Sequence, residues 1–69
     1  MSVFAERLKE LRKEKGLTQQ KVADILNISQ PNYRRWESGE SRPSVETLVM
    51  LADYFDVSTD YLVGRKNEK

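Results

Sequence analysis

The chain reads as all-α. Apolar residues recur at helical rather than alternating spacing, every segment after the first is preceded by a Ser or Thr able to cap a helix, and glycines at 16, 39 and 64 fall where segments end. Five short helices result. In the first, Phe4, Leu8 and Leu11 repeat at i, i+4, i+7 with charges between them, so it runs from about Ser2 to Lys15 and stops at Gly16. Thr18 caps the second, "TQQKVADIL", with Val22, Ala23 and Leu26 facing inward. Ser29 caps the third, which places Pro31 in a first turn where a missing amide proton costs no hydrogen bond, and Gly39 ends it. Ser44 caps the fourth, "SVETLVMLADYF", with Leu48, Leu51, Ala52 and Phe55 inward, and Ser58 caps a last short helix, "STDYLV", closed by Gly64. The expected organisation is one domain over residues 1–64, without an internal repeat, and a disordered basic tail, "RKNEK", over residues 65–69.

Length and composition narrow the function. A chain of this size buries only about 60% of the surface its unfolded form exposes, so the core is expected to be thin. With no Cys and no His, disulfides, thiolate metal sites and imidazole ligands are all ruled out. Three scattered glycines form no phosphate loop and no Ser sits in a nucleophile setting, which argues against an enzyme and gives no sign of a cofactor or small-molecule ligand. The amino terminus has charges among its apolar positions, unlike a signal peptide, and no run approaches the roughly 20 apolar residues of a membrane span, so the expected location is cytoplasmic. Asp53, Asp56 and Asp60 straddle a helix end without the Gly turn of a calcium loop and read as solvated acids.

The charge is unevenly placed. Net charge is only +1, yet residues 1–43 carry nine Lys/Arg against six Asp/Glu, residues 44–63 carry four acids and no base, and residues 64–69 carry three bases and one acid. One side is suited to a polyanion. Advancing about 100° per residue along the third helix gathers Gln30, Pro31, Arg34, Arg35 and Ser38 within an arc of about 140°, while Asn32, Tyr33, Trp36 and Glu37 fall opposite. Tyr33 and Trp36 are expected in the core rather than stacked on bases. The first face has an amide, two guanidiniums and a hydroxyl with no use in a core, and Gln and Arg are the residues that pair bidentately with adenine and guanine in the major groove.

The second helix, the turn around "NIS" and the capped third helix make a helix-turn-helix unit, the arrangement in which the second helix of the pair enters the major groove. Gln19, at the amino end of the first helix of that pair, is placed to hold a phosphate together with free backbone amides. The stretch "GLTQQKVADILNISQPNYRRWESGESRPSVETLVMLADYFDVSTDYLVG" closely resembles the lambda-repressor-like helix-turn-helix family, the Cro and phage-repressor type of transcription regulator. The motifs "LTQ", the Ser cap, "RWESG" and "PSVETL" carry the resemblance, which covers about residues 6–64.

That resemblance implies a five-helix domain binding operator DNA as a dimer. It puts Gln19 at a phosphate-contacting position, Gln30, Pro31 and Arg35 at base-contacting positions with Asn32 and Arg34 as neighbours, and Ser38 and Arg42 against the sugar-phosphate backbone. Pro31 departs from the polar residues usual at its position and offers only apolar contact. Arg12 and Glu37 match the family's ion pair, expected to orient the third helix. A homodimer is expected through the end carrying helices four and five, with Tyr54, Val57, Tyr61 and Val63 as candidate surface. The alternative is a protein-interaction module, such as an antitoxin or adaptor subunit, docking through the acidic stretch Ser44–Val63.

Overall fold

The computed structural model describes residues 2–69. It contains α1 (Val3–Glu14), α2 (Gln19–Leu26), α3 (Gln30–Ser38), α4 (Val45–Phe55) and α5 (Thr59–Leu62), with no strand among the described residues. All five helices begin in the same way. Ser2, Thr18, Ser29, Ser44 and Ser58 sit in extended backbone, and each side-chain oxygen accepts from the amide three residues on, satisfying one of the donors a helix start leaves free. Ser2 and Lys15, expected as the ends of the first helix, are its caps.

The core is one cluster to which every helix contributes. Leu8 of α1, Val22 and Ala23 of α2, Tyr33 of α3, Leu51 of α4 and Leu62 of α5 are completely buried, and Leu26, Leu48, Ile28 and Val57 pack at its edge. Tyr33 and Trp36 meet edge to face with ring centroids 6.0 Å apart, so both aromatics of α3 are committed to the interior. Burying that side of α3 fixes which side remains for solvent.

A local repeat is present that helical periodicity alone does not reveal. Residues 23–29, "ADILNIS", and 52–58, "ADYFDVS", form the same turn. Each starts from a buried Ala, passes through a left-handed residue (Asn27, φ 58°; Asp56, φ 57°), turns an apolar residue inward and ends on the Ser that caps the next helix. The closing hydrogen bonds correspond: Ile28 N donates to Ala23 O at 2.8 Å and Val57 N to Ala52 O at 3.0 Å. Asn and Asp are the non-glycine residues that tolerate this backbone best.

Gly64 closes α5 for two reasons. Its φ is +90°, and a Cβ there would lie 2.8 Å from Val3 Cγ1, so both the backbone and the contact with α1 require glycine. Residues 65–69 form no helix and lie back along α1. The Arg7 guanidinium stacks 4.1 Å over the Tyr61 ring and donates to the carbonyls of Tyr61 and Lys66, while Lys69 Nζ meets Glu14 Oε1 at 2.8 Å.

Candidate nucleic-acid interface

The candidate interface is the side of α3 that the core leaves free. With Tyr33 and Trp36 turned inward, Pro31, Asn32, Arg34, Arg35 and Ser38 are exposed and Gln30 is half-buried at the helix start. Arg42 is exposed in the loop that follows. Arg34, Arg35 and Arg42 form no ion pair or side-chain hydrogen bond among the described residues, whereas Arg7 and Arg12 are both held. Three of the four guanidiniums left free among the described residues therefore belong to α3 and its following loop, the fourth being Arg65 after α5. Asn32, assigned by its helical angle to the side opposite the arc, is nevertheless exposed, since its angle of about 200° from Gln30 lies at the edge of that side between exposed Arg35 and buried Trp36.

Behind this face lies a buried brace. Arg12 Nε donates to Glu37 Oε2 at 2.7 Å and Nη2 to Oε1 at 3.1 Å, a two-pronged pair whose side chains are only 12% and 2% exposed. Arg12 Nη1 donates in addition to the carbonyl of Leu17, 2.8 Å away, so one guanidinium joins α1, the entry to α2 and the end of α3. Gln19 Nε2 donates to the same Glu37 Oε1 at 3.1 Å. Gln19 is thus half-buried and anchored by one amide proton, with its second left for an outside acceptor. The sequence indicates the Arg12–Glu37 pair but not this third member, because Gln19 and Glu37 are brought together only by the packing of the helices.

Burial works against the charge on Glu37, but hydrogen bonds from Arg12 and Gln19 outweigh it and hold the carboxyl below its ordinary range. The hydrogen bond to Glu37 raises Arg12 in turn. The Tyr33 hydroxyl is buried beside the same carboxylate without hydrogen-bonding geometry to a partner among the described residues, so its influence there is that of a nearby dipole rather than a formed bond. Burial pushes that hydroxyl far above its ordinary value.

The end of α3 holds one further arrangement. Ser38 Oγ lies 3.0 Å from the carbonyl oxygen of Arg35 and 2.7 Å from Glu40 Oε2. Gly39, at φ 84°, folds the chain back so that Glu40 N donates to Arg35 O, which brings the carboxylate beside Ser38. No helical periodicity reaches across that glycine to signal the contact.

The surface expected to pair two copies is different in detail. Tyr61 is buried under Arg7, and Tyr54 and Val57 are half-buried against the core; of the four candidates only Val63 is exposed. The apolar groups that do reach solvent on α4 are Val45, Val49 and Met50, and Val63 lines a groove of about 200 Å³ with Phe4, Arg42, Pro43 and Leu48. Among the described residues no three carboxylates gather as a metal site, and no helix is long and apolar enough to cross a membrane.

A capped helix pair joined by a three-residue turn, presenting uncommitted guanidiniums on its second helix, defines a helix-turn-helix DNA-binding domain. A helix-turn-helix family model matches residues 8–62, and the chain belongs to that family, the Cro/C1 type of DNA-binding transcription regulators, which are not enzymes. It is 50% identical over 64 residues to the HTH-type transcriptional regulator AnsR of Bacillus subtilis, covering 93% of this chain and 55% of AnsR. The chain spans little more than half the length of the curated relatives it matches first. A crystal structure of a transcriptional regulator from Listeria innocua superposes with a TM-score of 0.83 at 42% identity, covering 96% of this chain and 62% of that one. The P22 c2 repressor, crystallised in complex with a synthetic operator, superposes with a TM-score of 0.85 at 26% identity, covering 96% of this chain and all of that one.

Proposed function

We propose that this domain is a sequence-specific double-stranded DNA-binding transcriptional regulator of the cytoplasm, a repressor that occupies an inverted-repeat operator as a dimer with α3 in the major groove. The observation that carries this is the exposed α3 face, where Gln30, Arg34 and Arg35 share one side and neither guanidinium is neutralised by a carboxylate among the described residues. On this reading Gln30 and Arg35 face base edges, with Pro31 against an apolar group such as a thymine methyl, and Asn32 and Arg34 beside them. Gln19, Ser38 and Arg42 grip the backbone. The likeness to an operator-bound repressor supports the same docking.

One such domain makes few base contacts, and two copies on half-sites about one helical turn apart supply the remaining affinity. Val63 and the groove beside it, with Val45 and Val49 of α4, are the apolar surface available for pairing. A second reading draws on the same exposed valines and on the acids of residues 44–63: docking of a protein partner on α4 and α5. Titration of the labelled protein with a short duplex, followed by NMR, separates the two. Amide shifts concentrated in α3, at Gln19 and at Arg42 are expected; shifts confined to residues 44–63, or none, would overturn the DNA reading. Sedimentation with operator present should find two chains per duplex, and one chain at saturation would remove the dimer.

A further inference from the structure

We infer that Glu40 limits the affinity of the α3 face for DNA by holding the Ser38 hydroxyl in place of a phosphate oxygen; this rests on the DNA reading above. Ser38 lies within the arc that carries Gln30, Arg34 and Arg35, so a group bonded to Ser38 stands on the same face. Glu40 Oε2 is 2.7 Å from Ser38 Oγ, the separation of a charge-assisted hydrogen bond. The backbone enforces the meeting. Gly39 turns the chain through the left-handed region, and the amides of Glu40 and Ser41 both donate to Arg35 O, which ties the loop back over the end of α3.

Two consequences follow from elementary chemistry. A serine hydroxyl has one proton, and a proton given to a carboxylate is not available to a phosphate. The carboxylate also adds an exposed negative charge beside Ser38, in the loop between Arg35 and Arg42, and so opposes the approach of phosphates whatever the base sequence. Glu40 itself is exposed and packs on nothing in the core, so its removal does not disturb the fold. It acts as an internal acceptor that DNA must displace, lowering binding to all sequences and leaving discrimination to Gln30 and Arg35.

The test measures binding of the parent, Glu40→Ala, Ser38→Ala and the double variant to a selected operator and to a random duplex. Glu40→Ala should bind both duplexes tighter by a similar factor, roughly 3- to 10-fold at about 100 mM salt, with a log–log salt slope steeper by up to about one. Ser38→Ala should weaken binding more in the Glu40→Ala background than in the parent, because without the carboxylate the hydroxyl keeps only the uncharged Arg35 carbonyl, 3.0 Å away, as an internal acceptor. If Glu40→Ala leaves binding unchanged or weaker, or Ser38→Ala costs the same in both backgrounds, the inference falls while the DNA reading stands. A parent that binds neither duplex overturns both.

Discussion

The turn between α2 and α3 and the turn between α4 and α5 share a backbone course, a buried Ala, a left-handed polar residue (Asn27 in one, Asp56 in the other) and a capping Ser. They lead to different surfaces. The first opens a nine-residue helix with exposed Arg34 and Arg35, braced from behind by Arg12 and Glu37. The second opens a four-residue helix in a stretch without a single base, and its Asp60 lies 4.0 Å from Lys66. The turn sets an angle between two helices; length, bracing and uncommitted charge decide whether the second helix presents anything to a polyanion.

The largest expected effect comes from removing the brace that only the first turn has. Glu37→Ala leaves the Arg12 guanidinium in a pocket where it is only 12% exposed, without its carboxylate, and should cost about 3 to 5 kcal/mol in denaturant unfolding. A melting temperature equal to that of the parent would show that α3 does not depend on the pair.

A smaller effect of the same group appears with pH. The folded Glu37 lies below its ordinary value of 4.5, so its contribution to stability is present above that pH and is lost as pH falls through the folded value. Thermal melts from pH 7 downward should show an acid loss that Glu37→Gln removes, and the same loss in the variant would assign it to other carboxylates.

Much of this was legible beforehand. Four capping residues and three helix-ending glycines mark the helices almost to their boundaries, since caps are local signals, and helical angle places Tyr33 and Trp36 inward. The repeated turn is hard to see in the sequence because only its Ala, Asp and Ser recur identically, and the rest of the likeness lies in backbone conformation and residue class. The anchoring of Gln19 by Glu37 and the burial of Tyr61 under Arg7 depend on which helices meet, and no spacing along the chain encodes that.

Loss at the free face sharpens the comparison further. Arg35→Ala should weaken DNA binding by about 1 to 3 kcal/mol and relax preference at one base pair if the guanidinium reads a base. Uniform weakening over all sequences, with a salt slope lower by about one, would make it a phosphate contact instead. Replacement of Asp53 or Asp60 by Ala should leave the base preference untouched, and a changed preference would bring α4 and α5 into the interface.

The smallest effect tests the likeness itself. Asn27→Ala and Asp56→Ala each put an alanine into left-handed backbone and should each cost about 1 kcal/mol of stability, nearly equally, in denaturant unfolding. Unequal costs would mean that the two turns are differently strained.

The central claim is that α3 reads sequence. Selection of bound duplexes from a random library at about 100 mM salt, read by sequencing, tests it most directly. An enriched inverted repeat with half-sites about one helical turn apart is the predicted result. Salt-sensitive binding with no enriched sequence would contradict it, leaving the fold intact and the α3 arginines as a non-specific grip on phosphate.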